Sequence, residues 1–208
     1  MVTPEHHVAL VEHLVETSEP VRRIWPVRVR TTVLLAMWST LGILIASTWP
    51  RPDLMEKLHD PIFAIGAMTL AVATGFTTLM ALRCAVPGRA PTRFEGLTAL
   101  LLIGGAALAL ASESATAPGN ADGWLCSLRT IAVAFLPWMT LLIAIRRGAP
   151  VRVVSAAVYD GIASLLFATM VLRMACPADG SSHWLAWHLG IVPLVTLLAT
   201  PLAARWLP

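Results

Sequence analysis

Apolar residues fall into six long runs along the chain, and short polar segments rich in proline and glycine separate the runs. A helix needs about 20 apolar residues to cross the hydrocarbon core of a bilayer, and each run approaches that length. Short connections also make sequential helices neighbours in one antiparallel bundle. We therefore predict an all-α integral membrane protein, a six-helix bundle over residues 31–208 with spans at 31–49, 61–82, 96–112, 128–145, 153–172 and 184–204.

Positive charge alternates between the segments that flank these runs. Arg51 and Lys57 lie in the first connection, no lysine or arginine lies in the third, and Arg173 lies at the edge of the fifth. Positively charged segments favour the cytoplasmic side, so we predict that both termini are cytoplasmic and that three loops face outward. The other flanking segments hold most of the arginines, namely Arg22, Arg23, Arg28, Arg30, Arg83, Arg89, Arg93, Arg146, Arg147, Arg152 and Arg205.

The composition agrees with a membrane location and argues against a nucleic-acid partner. Hydrophobic residues make up 57% of the chain and charged residues 13%, whereas soluble domains carry roughly 25% charged residues. The net charge of +3 comes from the inward-facing arginines, so we expect no direct contact with nucleic acid. The polar, acidic start does not resemble a cleavable signal peptide, and we predict a multi-pass protein of a bacterial inner membrane.

Residues 1–30 predict a cytoplasmic segment that contains one short amphipathic helix ending before Pro20. Glu5, Glu12 and Glu16 cluster on its polar face, whereas a helix on an anionic lipid surface carries lysine and arginine there. The apolar stripe opposite them either binds a groove on a partner protein with basic surroundings or packs on the inner ends of the bundle. Five residues form this stripe: Val8, Leu10, Val11, Leu14 and Val15.

The three cysteines lie on two sides of the predicted membrane. Cys84 is at the inner end of the second span, where we expect an inert thiol in a reducing compartment. Cys126 and Cys176 lie in the third and fifth outer loops, on the same oxidising side. These two cysteines form a disulfide, act as a redox or soft-metal switch, or remain unpaired.

Histidines on the same outer face could add nitrogen ligands to the two thiols. The candidates are His183 and His188, with His59 in the first outer loop. The sequence has no C-x-x-C or H-E-x-x-H motif of the kind that marks a resident metal. We therefore expect no cofactor beyond transient binding of a soft metal at Cys126 and Cys176, with His183 and His188 as further ligands.

Two charged residues near the membrane interior are further candidates. Arg129 follows Cys126 by three residues, so it either favours the thiolate of that cysteine or snorkels to the outer interface. Asp160 lies about two turns into the fifth span and is a functional carboxylate, a protonated acid or the partner of an arginine in the second inner loop. No nucleophile with a paired base and no glycine-rich phosphate loop is visible, so we do not expect an enzyme.

Several stretches, taken in order, resemble the negative-regulator-of-sigma-F family of six-span bacterial membrane anti-sigma factors. The resemblance covers nearly the whole chain from Pro20 onward, and "RRGAP" and the two cysteine segments are its most specific parts. The stretches are "PVRRIWPVRVR", "RPDL", "VPGR", "WLCSLRTI", "RRGAPVR", "CPADGSSHWLAWH" and "ARWL".

The resemblance implies a protein that holds an extracytoplasmic-function sigma factor at the inner membrane and keeps it from core RNA polymerase. It also implies that Cys126 and Cys176 sense metal or oxidative stress, and that the segment before Pro20 binds the sigma factor. We expect stress at the cysteines to repack the last three spans and release the sigma factor. The alternatives are a small membrane transporter that depends on Asp160, a membrane thiol–disulfide oxidoreductase that uses the two cysteines, and a structural membrane subunit.

Overall fold

The computed structural model describes residues 12–13, 15–16, 24–89, 91–112, 122–178 and 180–207, which form helices joined by short connections and contain no strand. Six helices in this part of the chain are long and apolar enough to cross a membrane, as the sequence predicts. The first five are α1 (Val27–Thr48), α3 (Pro61–Cys84), α4 (Arg93–Ala111), α5 (Gly123–Arg146) and α6 (Val153–Arg173), and a short α2 (Leu54–His59) precedes α3. The sixth consists of α7 (Ser181–His183), a π-helical segment (Trp184–Leu189) and α8 (Ile191–Trp206).

Several helices extend past their apolar cores into the polar flanks. Helix α5 begins at Gly123, so the prediction that Cys126 lies in a loop is wrong and the residue belongs to the first turn of this helix. Helix α4 begins at Arg93 because Thr92 and Glu95 form a capping box. The Thr92 hydroxyl accepts a hydrogen bond from the Glu95 amide at 3.3 Å, and the Glu95 carboxylate accepts one from the Thr92 amide at 2.8 Å. Glu95 also pairs with Arg83, which ties α4 to the end of α3.

Helix α6 is the centre of the bundle. Within its most apolar 18-residue stretch, 61% of the residues are buried, whereas the corresponding share is 17% in α4 and in the last span. It packs on α1, α3, α5 and α8, and small residues such as Ala157, Gly161 and Ala168 allow the neighbouring backbones to approach closely. A change in the position of α6 would therefore alter contacts with four of the five other spans.

An even number of crossings returns the chain to its starting side, which gives the bundle two distinct ends. Val27, Cys84 and Leu207 share one apolar cluster at what we call the amino-terminal end. Cys126 and Cys176 share another cluster at the opposite end, which we call the cysteine end. Of the proposed partner-binding stripe, Val15 is helical and exposed, whereas Val8, Leu10, Val11 and Leu14 lie outside the described residues.

Candidate cysteine and histidine site

Two thiols and two imidazoles meet at the cysteine end. The sulfur atoms of Cys126 and Cys176 are 4.0 Å apart, and the sulfur of Cys176 is 4.0 Å from Nε2 of His183. One ligand atom from each of these residues and from His188 lies within 4.8 Å of all the others. The structure thus brings together the four residues that the sequence analysis names, while His59 lies outside this cluster and contacts the Met55 carbonyl.

Two separate features of the backbone place the thiols. Cys126 faces the interior from the first turn of α5 and is only 5% exposed. Cys176 follows the end of α6, where its amide donates to the Leu172 carbonyl at 2.6 Å. Pro177 comes next and has no amide hydrogen to continue the helix. The chain turns at this point, and the two sulfurs face each other from α5 and from the end of α6.

The π-helical segment brings the two histidines to one side of the last span. In a regular α-helix, residues five apart point about 140° away from each other. Here the Gly190 amide donates to the Leu185 carbonyl, five residues back, at 2.7 Å, and the rings of His183 and His188 are 5.3 Å apart. A Cβ atom at Gly190 would lie 2.7 Å from two backbone carbonyl oxygens, so only glycine fits the wide turn. Turns of this kind recur at functional sites.

Thr130 fixes the tautomer of His188. The Thr130 hydroxyl has one proton, which it donates to the Cys126 carbonyl at 2.9 Å. Because that proton is used, Nδ1–H of His188 donates to the Thr130 oxygen, which lies 3.0 Å away. Nε2 therefore carries the lone pair, and this buried atom has no hydrogen-bond partner among the described residues. A free Nε2 with Nδ1–H held by a neighbouring oxygen is the arrangement that metal-binding histidines adopt.

The rings around His188 are closely packed. Trp184 is fully buried, stacks on His188 with 4.2 Å between ring centroids, and donates through Nε1 to the Ala178 carbonyl at 2.8 Å. The Arg173 guanidinium lies 5.8 Å from the Trp184 ring and 4.2 Å from the Phe63 ring. These cation–π contacts connect the last span with α6 and α3.

An ion pair closes the outside of this stack. Arg51 and Asp53 make two parallel hydrogen bonds of 2.7 and 2.8 Å, and the Arg51 guanidinium lies 5.5 Å from the Phe63 ring. The Arg51 amide also donates to the Met174 carbonyl at 3.3 Å. The hydrogen bonds from Arg51 hold the pKa of Asp53 below its ordinary value. The connection between α1 and α2 is thereby fixed to Met174, the residue next to Arg173.

The four ligand atoms suit a soft or borderline metal ion. Two thiolates and two imidazoles form the tetrahedral set typical of structural zinc sites. With zinc–sulfur bonds of about 2.3 Å, the two sulfurs of a tetrahedron lie about 3.8 Å apart, close to the 4.0 Å between Cys126 and Cys176. The residues present therefore fit a metal of this class with little rearrangement.

The other nominated residues lie apart from the cluster. Asp160 is fully buried and accepts a hydrogen bond from Ser164 at 3.4 Å. No arginine among the described residues pairs with it, so the ion-pair alternative is not supported. Arg129 is exposed on the surface of α5, as a snorkelling arginine would be. Arg173 and Trp184 were not predicted from the sequence. The burial of Arg173 depends on Phe63, far away in the sequence, and the stacking of Trp184 on His188 depends on the wide turn between them.

Comparison with known proteins places this arrangement in a family. The family described as negative regulator of sigma F matches residues 14–208. The chain belongs to this family of anti-sigma factors. All four residues of the cluster lie inside the matched region, whereas Val8, Leu10 and Val11 precede it.

A characterised relative agrees with this membership. Over 185 residues the chain is 30% identical to the carotenogenesis protein CarR of Myxococcus xanthus, an alignment that covers 86% of this chain and 78% of that protein. No solved structure matches the chain. Family membership makes a sigma factor the partner and favours regulation of transcription over transport or thiol–disulfide catalysis.

Proposed function

We propose that the chain sequesters an extracytoplasmic-function sigma factor at a bacterial inner membrane and releases it when Cys126 and Cys176 meet a metal or an oxidant. The observation that carries this proposal is the convergence of two thiols and two imidazoles at the cysteine end, opposite the end where α1 begins at Val27. The arginine distribution supports cytoplasmic termini and a cysteine end that faces outward.

A soft divalent metal is the first of the two proposed stimuli. Cys126 and Cys176 would bind it as thiolates, and His183 and His188 would complete the coordination through neutral nitrogens. Shifting a two-state equilibrium from 1:99 to 99:1 requires a differential binding energy of about 5.5 kcal/mol. Tetrahedral zinc sites in small proteins provide about 10–16 kcal/mol, so a resting state that binds the metal about 10⁴-fold less tightly than the released state would suffice for the shift.

An oxidant is the second stimulus. A peroxide would take two electrons from the two thiols, so that a sulfur–sulfur bond forms, both thiol protons leave and the peroxide is reduced. The sulfurs would move from 4.0 Å to about 2.05 Å. Disulfide formation would draw the start of α5 towards the end of α6, a metal ion would bridge the same two segments, and α6 in turn contacts most of the bundle.

The first experiment measures transcription from the promoter of the partner sigma factor. Cys126→Ser with Cys176→Ser should leave basal repression in place and abolish induction by cadmium and by peroxide. Cys84→Ser is the matched control, because this thiol is buried at the amino-terminal end. Unchanged induction in the double variant would refute the sensing role. Loss of basal repression in an abundant, folded double variant would also contradict it, because the cysteines would then be needed for repression itself.

A second experiment tests the proposed orientation with single cysteines in a variant that lacks the native three. Ser182→Cys reports on the cysteine end and Arg205→Cys on the amino-terminal end, and both positions are exposed. A membrane-impermeant maleimide should label Ser182→Cys in intact spheroplasts, and Arg205→Cys only after lysis. The reverse pattern would exclude an outward-facing sensor.

The third experiment concerns the partner segment. The full chain should retain an extracytoplasmic-function sigma factor in a pull-down, and Leu10→Asp with Leu14→Asp should abolish this retention. Glu12→Gln, on the polar face of the same segment, is the control and should retain the sigma factor to within a few-fold. Equal retention by the double variant would place the binding surface elsewhere on the chain.

A further inference from the structure

A cavity of about 660 Å³ opens between α1 and α5 at the amino-terminal end, and its chemistry is amphipathic. Arg30 and Arg147 line it on the polar side. Val33 and Ile143 line it on the apolar side, and both side chains are about half exposed on the surface that a bilayer would cover. The cavity volume falls within the range of small-molecule sites, about 300–1,000 Å³.

The two arginines provide more positive charge than the described residues neutralise. Arg30 is nine-tenths buried, its Nη2 donates to the Ala144 carbonyl, and its Nη1 is buried without a hydrogen-bond partner among the described residues. No carboxylate in the described part of the chain pairs with Arg30 or Arg147. A buried guanidinium with an unused N–H group is costly unless an anion approaches it.

The position of the cavity identifies the kind of anion. Trp25 lines its rim and is exposed, as tryptophans at the bilayer interface are. Because the cavity opens beside Val33 and Ile143, a ligand entering from the membrane would present an acyl chain to them and a head group to the arginines. Basic pockets between transmembrane helices bind anionic lipid head groups in this way, and guanidinium groups suit phosphate oxygens geometrically.

We propose that this cavity binds an anionic phospholipid, whose phosphodiester oxygens accept hydrogen bonds from Arg30 and Arg147 and whose acyl chain lies along Val33 and Ile143. The proposal goes beyond the proposed function, since it requires neither metal binding nor the sigma factor. Glutamates of residues 1–20 are a competing source of negative charge, and the experiment below separates them from a lipid.

The test uses the full-length protein in a neutral detergent and native mass spectrometry with two added lipids that have the same acyl chains. Phosphatidylglycerol should bind at least tenfold more tightly than phosphatidylcholine. Arg30→Gln with Arg147→Gln should reduce this preference at least tenfold, whereas Arg146→Gln, an exposed neighbour, should leave it unchanged. If the double variant does not fold, Arg147→Gln alone serves, because its side chain is exposed and it should reduce the preference several-fold.

Three results would overturn the proposal. The first is equal affinity for the two lipids, and the second is a preference that survives in the arginine variants. The third is displacement of phosphatidylglycerol by millimolar inorganic phosphate, which would indicate a site for a free anion. Deletion of residues 1–20 should leave phosphatidylglycerol binding unchanged; binding seen only after the deletion would mean that the amino-terminal segment occupies the cavity.

Discussion

The two ends of the bundle differ in how tightly their polar side chains are packed. At the cysteine end, Trp184, His188 and Arg173 are fully buried, and stacking contacts or hydrogen bonds hold each of them in place. At the amino-terminal end, Arg30 and Arg147 line an open cavity without a described acidic partner. A fixed arrangement suits metal coordination, which tolerates little error in distance, whereas an open cationic surface suits ligands that exchange.

Helix α6 connects the two ends of the bundle. Its last residue, Arg173, belongs to the packed stack at the cysteine end, and Ala156 and Ala157 near its start lie in the apolar cluster of the amino-terminal end. Since the helix is the most buried of the six spans, a shift at one end cannot be absorbed by the lipid alone. We therefore expect matched substitutions at the two ends to change metal affinity and stability by different amounts.

The largest effect should come from removing the sulfur ligands. Cys126→Ser with Cys176→Ser should weaken cadmium or zinc binding by about a thousandfold or more, because two of the four proposed ligands are lost. Cys84→Ser, at the other end, should leave the affinity unchanged. Isothermal titration calorimetry in detergent measures both, and comparable affinities in the double variant and in the control would contradict the assignment of the metal site.

Stability should distinguish a buried arginine from an exposed one. Arg173→Met removes the cation–π contacts with Phe63 and Trp184 and should lower the free energy of unfolding by about 2–4 kcal/mol. Arg147→Gln should change it by no more than about 0.5 kcal/mol. Thermal or denaturant unfolding in detergent makes the comparison, and similar losses in the two variants would mean that the two ends are equally tolerant.

A smaller change in metal affinity should follow from Thr130→Val. This variant keeps the shape of the side chain but removes the oxygen that holds Nδ1 of His188, and such outer-shell losses cost about 10–100-fold in affinity. Thr130→Ser should restore most of the affinity. Thr140→Val, which removes the partner of Trp38 far from the cluster, is the control and should not change it. Equal affinities for Thr130→Val and Thr130→Ser would show that the hydroxyl has no orienting role.

The smallest effect concerns the ion pair at the cysteine end, in which Arg51 is buried and the side chain of Asp53 is 35% exposed. The pKa of Asp53 is lowered in the folded protein, so its pairing with Arg51 stabilises the fold above the ordinary pKa of an aspartate, and that contribution is lost as the pH falls through the lowered value. Asp53→Asn should cost about 0.2–1 kcal/mol at pH 7 and nothing at acidic pH. Unfolding curves at several pH values would show this convergence; a pH-independent difference would argue against the ion pair.

Hydrophobic pattern and charge were sufficient to predict six spans, because lipid requires long apolar helices. The helix ends were less predictable. The apolar core of α5 begins after Cys126, so the hydrophobic pattern places this cysteine in a loop although the helix starts at Gly123. The same pattern places Arg93 outside its span, although the capping box of Thr92 and Glu95 starts α4 there. Thr-x-x-Glu was a readable cue for that start.

The sequence predicted which residues form the candidate site but not how they are arranged in space. Residue chemistry and predicted sidedness pointed to Cys126, Cys176, His183 and His188, yet the only local feature of the π-helical turn that brings the two histidines together is Gly190, and a glycine alone does not predict such a turn. From the sequence alone, Arg173 has the position of an ordinary arginine at the membrane interface. Its aromatic partners come from other spans, so the favourable interactions that allow its burial appear only in three dimensions.

The wide turn at Trp184–Leu189 accommodates one residue more than a regular α-helix of the same length would hold. Deleting one residue between His183 and His188 would make the helix regular and leave the two histidines four residues apart, about 40° from each other and still on one face. The orientation of α8 would change little, because the wide turn absorbs the extra residue locally. Relatives that lack the wide turn should therefore carry these two histidines four residues apart instead of five.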